Sequence, residues 1–218
     1  MKLFALAAVL VPAHAAAQTI CIDPGHPSEV GVGTKGKRTT ELKVAWEVAL
    51  ALRNRLRHAG YHVVLTKQRI DEKVLNRDRA EIANRAKATL MVRLHCDAAA
   101  GRGFAVYYPS RQGTSNGFTG PSQAVIARSK EAATAFHSAM AGHLKGFHQN
   151  NGLKTDLQTA VGARQGALTG SIFSQVPVLL VEMVVLTNAQ DEAFILSKSG
   201  RARMVEALAK GVIATVKE

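Results

Sequence analysis

Cysteine is almost absent: Cys21 and Cys96 are the only two in 218 residues, which leaves room for one disulfide at most and excludes a disulfide-stapled scaffold. Aromatic residues make up 5% of the chain. None interleaves the basic positions Arg53, Arg55, Arg57, Arg77, Arg79, Arg85 and Lys87, so nothing marks a nucleic-acid-binding module and no nucleic-acid partner is expected. No apolar stretch reaches the roughly 20 residues that span a bilayer, and stable membrane insertion is not expected. Acidic side chains are outnumbered 16 to 28, for a formal charge of +12. Such a surplus concentrates a protein near polyanions, including anionic lipid head groups and acidic wall polymers.

What is present begins with a leader. Within residues 1–17, Lys2 precedes the apolar run 3–11, and Ala13-His14-Ala15 or Ala15-Ala16-Ala17 offers a small-residue cleavage site, the order of parts in a secretory signal. Residues 18–218 are then the mature domain, exported, with the periplasm favoured over the medium. Its charge stays near +11, since the leader removes only Lys2. Ile20 rather than a small residue precedes Cys21, so a released monomer is expected rather than a lipid-anchored one. The two thiols are expected to stay free: Cys21 lies five residues before His26 and Cys96 directly follows His95, which at strand rise would hold the sulfurs on the order of 15 Å apart if the histidines converge.

With 47% hydrophobic content the chain fills one core, and short β-rich runs alternate with helical ones. This is the pattern of an α/β protein, a single three-layer domain with a mostly parallel twisted sheet flanked by helices. Strands are expected over residues 20–23, 61–66, 89–95, 104–108 and 178–181. Helices are expected over 41–58, 77–87 and 201–217, with another carrying Ala124, Ala127, Ala132, Ala135 and Met140. Residues 110–120 and 142–152 read as loops.

Two apolar runs stop at histidine, Ile20-Cys21-Ile22-Asp23-Pro24-Gly25-His26 and Leu90-Met91-Val92-Arg93-Leu94-His95. A third, Pro177-Val178-Leu179-Leu180-Val181-Glu182, closes on an acid, and Glu41 opens the first long helix after Arg38-Thr39-Thr40. In a parallel sheet every strand runs toward one edge and the next helix begins there. His26, Glu41, His95 and Glu182 are therefore expected together, although 15, 54 and 87 residues part them in turn. Two imidazoles and a carboxylate with a second carboxylate beside them are the equipment of a zinc hydrolase. Singly, each has a plainer reading as a turn histidine or as a first-turn acid favoured by the helix dipole. Glu182 is the exception: set between Val-Leu-Leu-Val and Met-Val-Val-Leu, it is costly to bury without a cation or a proton.

Other motifs fall away. Gly31-Val32-Gly33-Thr34-Lys35-Gly36 has the spacing of a dinucleotide fingerprint but neither directly follows the strand nor opens the helix, and reads as a loop over the site. Cys96 and His95 are strand neighbours pointing to opposite faces, so they cannot pair as nucleophile and base. Helix-borne His-Glu-x-x-His is absent. His58, His62, His137, His143 and His148 read as surface or turn residues, of which His143 and His148 lie in a connection within reach of substrate.

At Asp-Pro-Gly-His26, Thr-Thr-Glu41, the helix Arg79-Ala-Glu-Ile-Ala-Asn84, Val-Arg-Leu-His95, Gly-Phe-Ala-Val-Tyr-Tyr108 and Val-Leu-Leu-Val-Glu182 with Leu-Thr-Asn188, the chain resembles the zinc-dependent N-acetylmuramoyl-L-alanine amidases of the Amidase_3 type. The resemblance implies Zn2+ held by His26, Glu41 and His95, a catalytic Glu182, and cleavage of the amide joining N-acetylmuramic acid to L-alanine in peptidoglycan. Departures from the family pattern sit around the cleft: Cys96-Asp97 where Ala-Asn is common, Pro27-Ser28 for Gly-Gly, and Val184-Val185 for Gly-Phe. Two rivals share these residues, a non-catalytic peptidoglycan-binding protein on the same fold and a zinc enzyme cutting another cell-wall amide. The isolated domain is expected to need no activator.

Overall fold

In the computed structural model, which describes residues 17–216, the β-rich runs form one six-stranded sheet. Apart from Ala17, the expected leader lies outside the described residues. Strands β1 (Thr19–Pro24), β2 (His62–Leu65), β3 (Leu90–Asp97), β4 (Phe104–Tyr108), β7 (Asn150–Thr155) and β8 (Val178–Val185) lie in the order β2-β1-β3-β8-β4-β7, while β5 (Gly113–Ser115) and β6 (Phe118–Gly120) make a separate hairpin. The helices are α1 (Glu41–His58), α2 (Asn76–Arg85), α3 (Gln123–Leu144), α4 (Ala160–Gln165), α5 (Thr169–Ile172), α6 (Ala189–Leu196) and α7 (Lys198–Thr215).

Strands β2, β1, β3 and β8 are mutually parallel, as expected; β4 runs antiparallel to β8 and carries β7 parallel to itself. The turn is forced. Only residues 98–103 connect β3 to β4, too few for the crossover of about a dozen residues that a parallel return requires.

Side chains alternate between two unlike layers. Ile20, Ile22, Leu90, Val92, Leu94, Cys96, Phe104, Val106, Leu179, Val181 and Met183 point to one face, where residues of α1, α3 and α7 close the main core over them. Leu52 and Phe136 are fully buried there. On the other face, Cys21, Met91 and Val178 meet Ala83 of α2, and Ala105, Tyr107 and Leu180 meet Leu168. That smaller layer leaves the carboxyl edge open. Cys21 and Cys96, both buried and free, belong to opposite layers, so no bridge between them can form.

Several elements differ from expectation. Residues 110–120 contain the β5–β6 hairpin, paired Gly113 to Gly120, and residues 142–152 are mostly the end of α3 and the start of β7. The run Asn-Asn-Gly-Leu-Lys-Thr has little strand propensity and forms β7 as an edge strand on β4. In α3 the buried stripe is Val125, Ile126, Ser129, Ala132, Ala133, Phe136, Met140 and Leu144. Ala124 and Ala127 face solvent, because alanine is small enough to serve either side. Strands β3 and β8 run beyond His95 and Glu182, pairing them in register, so both residues sit inside strands rather than after them.

Candidate active site

Four local devices bring His26, Glu41, His95 and Glu182 to the open layer. After β1, Gly25 N donates to Leu94 O at 2.9 Å, holding the chain on the sheet for one more residue. No side chain fits there, since a Cβ on Gly25 would lie 2.7 Å from the His95 ring. His26 then adopts φ 58°, a left-handed conformation uncommon outside glycine, and two buried cations clamp it. Arg79 donates from Nη1 to Pro24 O at 2.7 Å and from Nη2 to Pro27 O at 2.9 Å, and Lys67 Nζ donates to His26 O.

The Arg79 charge is answered by Asp23, also fully buried, at 2.6 Å; the same carboxylate accepts from Arg93 Nε at 2.9 Å and from Thr66 Oγ1 at 2.5 Å. Burial alone would raise the Asp23 pKa, but the two guanidinium groups hold it well below the usual carboxylate range.

Glu41 is placed by the start of α1. Thr40 caps the helix by accepting from Lys43 N at 3.3 Å, and Glu41 N donates to Thr34 O at 2.8 Å. The turn before it is fixed by Glu192 of α6, whose carboxylate accepts from Arg38 N at 2.7 Å and Thr39 N at 3.2 Å. Glu41 Oε2 accepts from Thr34 N at 2.7 Å, and Oε1 from Cys96 N at 3.1 Å.

Glu41 Oε1 also lies 2.9 Å from His95 Nδ1 and 3.3 Å from His26 Nε2, with the two rings edge to face at 5.2 Å between centroids. The three residues bring one donor atom each within 4.8 Å of the others and could hold a metal ion. Their hydrogen bonding favours it. His26 Nδ1 faces Gly31 O at 3.1 Å, and a carbonyl only accepts, so the proton sits on Nδ1. Neutral His26 therefore turns the lone pair of Nε2 on a carboxylate, which requires a positive charge between them. His95 has the same conflict: a proton on Nε2 sets the Nδ1 lone pair against Glu41, and a proton on Nδ1 leaves Nε2, buried and without partner, with its lone pair unmet. A divalent cation among these donors would take the lone pairs that face Glu41 and remove the conflict there.

Proton affinities reflect that strain. Burial would raise the Glu41 pKa, but hydrogen bonds and charge from the histidines bring it well below the carboxylate range. Burial works against a proton on His26, yet Glu41 outweighs it and the pKa rises; on His95 burial wins and the pKa falls. Glu182 is pushed well above its ordinary value, first by burial and then by the charges of Glu41 and Asp97. Its Oε2 is buried with no hydrogen-bond partner.

A cavity of about 180 Å³ opens beside these groups, lined on one side by His26, Arg93, His95 and Glu182 and on the other by Thr159, Val161, Leu168 and Thr169. The glycine-rich loop lies over the site as expected. Gly33, at φ 84°, passes so near that a Cβ would stand 2.5 Å from Glu41 Oε2.

His143 and His148 do not join the site. His143 lies in the last turn of α3, which packs on the opposite face of the sheet. His148 is 4% exposed at its side chain, stacked on Phe194 at 4.6 Å, with Nε2 3.1 Å from Met183 O. Its polar sequence surroundings gave no hint of those aromatic partners. The buried network of Asp23, Arg79 and Arg93 was missed; the signal for it was charge inside apolar runs, Ile-Cys-Ile-Asp23 and Met-Val-Arg93-Leu.

An α/β domain that gathers two imidazoles, a carboxylate and a second, unpartnered carboxylate at the carboxyl edge of its sheet has the makings of a hydrolase. The chain belongs to the N-acetylmuramoyl-L-alanine amidase family Amidase_3, whose model matches residues 20–214. It is 28% identical to an N-acetylmuramoyl-L-alanine amidase of Mycobacterium tuberculosis over 92% of this chain and 87% of that one. Among solved structures, the Mycobacterium smegmatis amidase Ami1 superposes with a TM-score of 0.73 at 21% identity, covering 91% of this chain and 96% of that one. Amidase AmiC2 of Nostoc punctiforme superposes with a TM-score of 0.70 at 22% identity, covering 90% and 95%. At such identities these two likenesses speak for the fold.

Proposed function

We propose that this protein is an exported, zinc-dependent hydrolase that cleaves the amide between N-acetylmuramic acid and L-alanine in peptidoglycan, working in the periplasm on wall turnover or remodelling. His26, Glu41 and His95 would hold the metal. When bound, zinc supplies a Lewis acid that polarises a carbonyl and lowers the pKa of water. The observation that carries this reading is the convergence of both imidazoles on one oxygen of Glu41, with the lone pair of His26 Nε2 set against that carboxylate until a cation enters.

The chain's own residues supply the rest. Glu182 takes a proton from the attacking water and returns it to the nitrogen of the departing L-alanine, which leaves as a neutral amine while the muramoyl lactyl group becomes a carboxylic acid that gives the second water proton to solvent. Burial beside Glu41 suits it to this exchange by raising its proton affinity well above that of an ordinary carboxylate. The cavity wall of Val161, Leu168 and Leu180 excludes water from the side where the peptide would lie. The basic surface adds attraction to an anionic wall polymer.

Mass spectrometry of peptidoglycan digested by the purified mature domain tests the reading. Free stem peptides beginning at L-alanine are expected. Deacetylated sugars, split crosslinks or no product would reject it, and metal analysis finding no zinc after loading would reject the cofactor.

A further inference from the structure

Among the described residues, Arg93 is the only lysine or arginine lining the cavity beside Glu182, and an elaborate support holds it there. Nε donates to Asp23 Oδ2 at 2.9 Å and Nη2 to Asn76 Oδ1 at 2.5 Å. The third nitrogen, Nη1, has no hydrogen-bond acceptor among the described residues. Gly170 of α5 closes over the guanidinium, where a Cβ would stand 2.7 Å from Nη1, so a bare backbone packs on this side chain and any larger residue would displace it. Asp23 is shared between Arg79 and Arg93, two cations on one carboxylate. Asn76 is neutral, and the nearby acid Glu29, which accepts from Asn76 N and Nδ2, is exposed and screened by solvent. The buried acids Asp156 and Glu182 also feel the Arg93 charge but do not hydrogen-bond it, so the wall of the cavity presents a fixed guanidinium with a donor to spare, which is the equipment for binding a carboxylate.

We propose that Arg93 is the specificity-determining anchor for a substrate carboxylate, binding through Nη1 the free α-carboxylate of the residue next to L-alanine on the departing peptide. The inference rests on the amidase reading above. Position supports that choice among the carboxylates of a stem peptide. Arg93 and His95 are two residues apart on β3 and face the same layer, roughly 6.6 Å along the strand. A carboxylate one residue beyond L-alanine lies within about 7 Å of the scissile nitrogen in an extended chain, whereas the terminal carboxylate of a longer stem falls farther out.

Three synthetic muramoyl peptides test this: one with the free α-carboxylate at that residue, one with the primary carboxamide there, and one with that carboxylate free and the terminal carboxyl amidated. The wild-type protein should favour the acid over the carboxamide by about tenfold to a hundredfold in kcat/KM, the range expected for losing a charge-assisted hydrogen bond, and should tolerate the terminal amide. Arg93→Lys, which keeps the charge but loses the fork, should bring the acid-to-amide ratio to within a few-fold of one; a ratio is unaffected by general loss of catalytic power. Asn76→Asp, which leaves Arg93 in place and neutralises it, should lower the same ratio and covers the case in which Arg93→Lys does not fold. Calorimetry should give the matching preference for the free L-alanyl peptides bound to metal-free protein. Equal cleavage of acid and carboxamide by the wild type, sensitivity to the terminal amide instead, or a ratio unchanged in both variants would overturn the proposal and leave the amidase reading standing. No cleavage of any of the three would bring down both.

Discussion

The two faces of the central sheet are made from alternate residues of the same strands, yet they obey opposite rules. On the α1–α3–α7 side, Ile22, Val92, Leu94, Val181 and Met183 belong to one large apolar core. One residue away along each strand, Asp23, Arg93, His95 and Glu182 turn toward the other side, where Asp23 and Arg93 are 0% and 3% exposed. The first face gains stability from burial, roughly in proportion to area. The second spends part of that stability on desolvating charges, which is tolerable only where each charge has a partner or waits for one. Asp23 and its arginines are of the first kind; Glu182 Oε2 and His95 Nε2 are of the second.

The sharpest way to break this comparison is at the unpartnered end of the polar face. Glu182→Gln removes the proton exchange without changing size, and should cut hydrolysis of sacculi about 10³-fold while zinc content and thermal midpoint stay unchanged; retained turnover would remove Glu182 from the mechanism. Next comes the partnered end. Asp23→Asn leaves two buried guanidiniums sharing no anion and should cost about 3–5 kcal/mol in denaturant unfolding, with activity lost as the His26 turn loosens.

The apolar face should answer differently. Leu52→Ala should cost about 3 kcal/mol in the same unfolding experiment yet leave the activity of the molecules that remain folded intact, because Leu52 sits about three turns along α1 from Glu41. A parallel loss of specific activity would show that the faces are coupled. Gly33→Ala sets a Cβ against Glu41 at a positive φ, and should weaken zinc affinity by about 10-fold with about 1–2 kcal/mol of backbone strain, read by competition with a chelator.

The smallest effect is in pH. The folded-state pKa of Asp23 is depressed, so below about pH 4 the unfolded chain binds a proton that the folded chain refuses. Its contribution is therefore complete above that value and is lost as pH falls through the folded pKa. Acid titration of stability should show this limb in the wild type and a flatter one in Asp23→Asn.

Much of this was legible in the chain. The runs around Ile22, Val92 and Val181 are strands because β-branched and aliphatic residues crowd positions too short for a buried helix. The convergence of His26, Glu41, His95 and Glu182 followed from strand direction alone. Strand β7 was not legible, since Asn150 and Asn151 prefer turns and pair only because β4 offers an edge. Nor was the phase of α3, where alanines sit on both sides of the helix. Arg79 looked like one more member of a scattered basic set and Arg93 like one residue of an apolar strand run; their burial depends on Asp23, which lies 56 and 70 residues from them.

By itself, the sequence determined which segments alternate, which way the main strands point and which four residues end at one edge, because periodicity and chain direction are local properties. Tertiary structure decided which layer each charge enters, which nitrogen of His26 holds its proton and that Arg93 keeps a donor free. Those depend on distances between segments far apart in the chain, and only packing sets such distances.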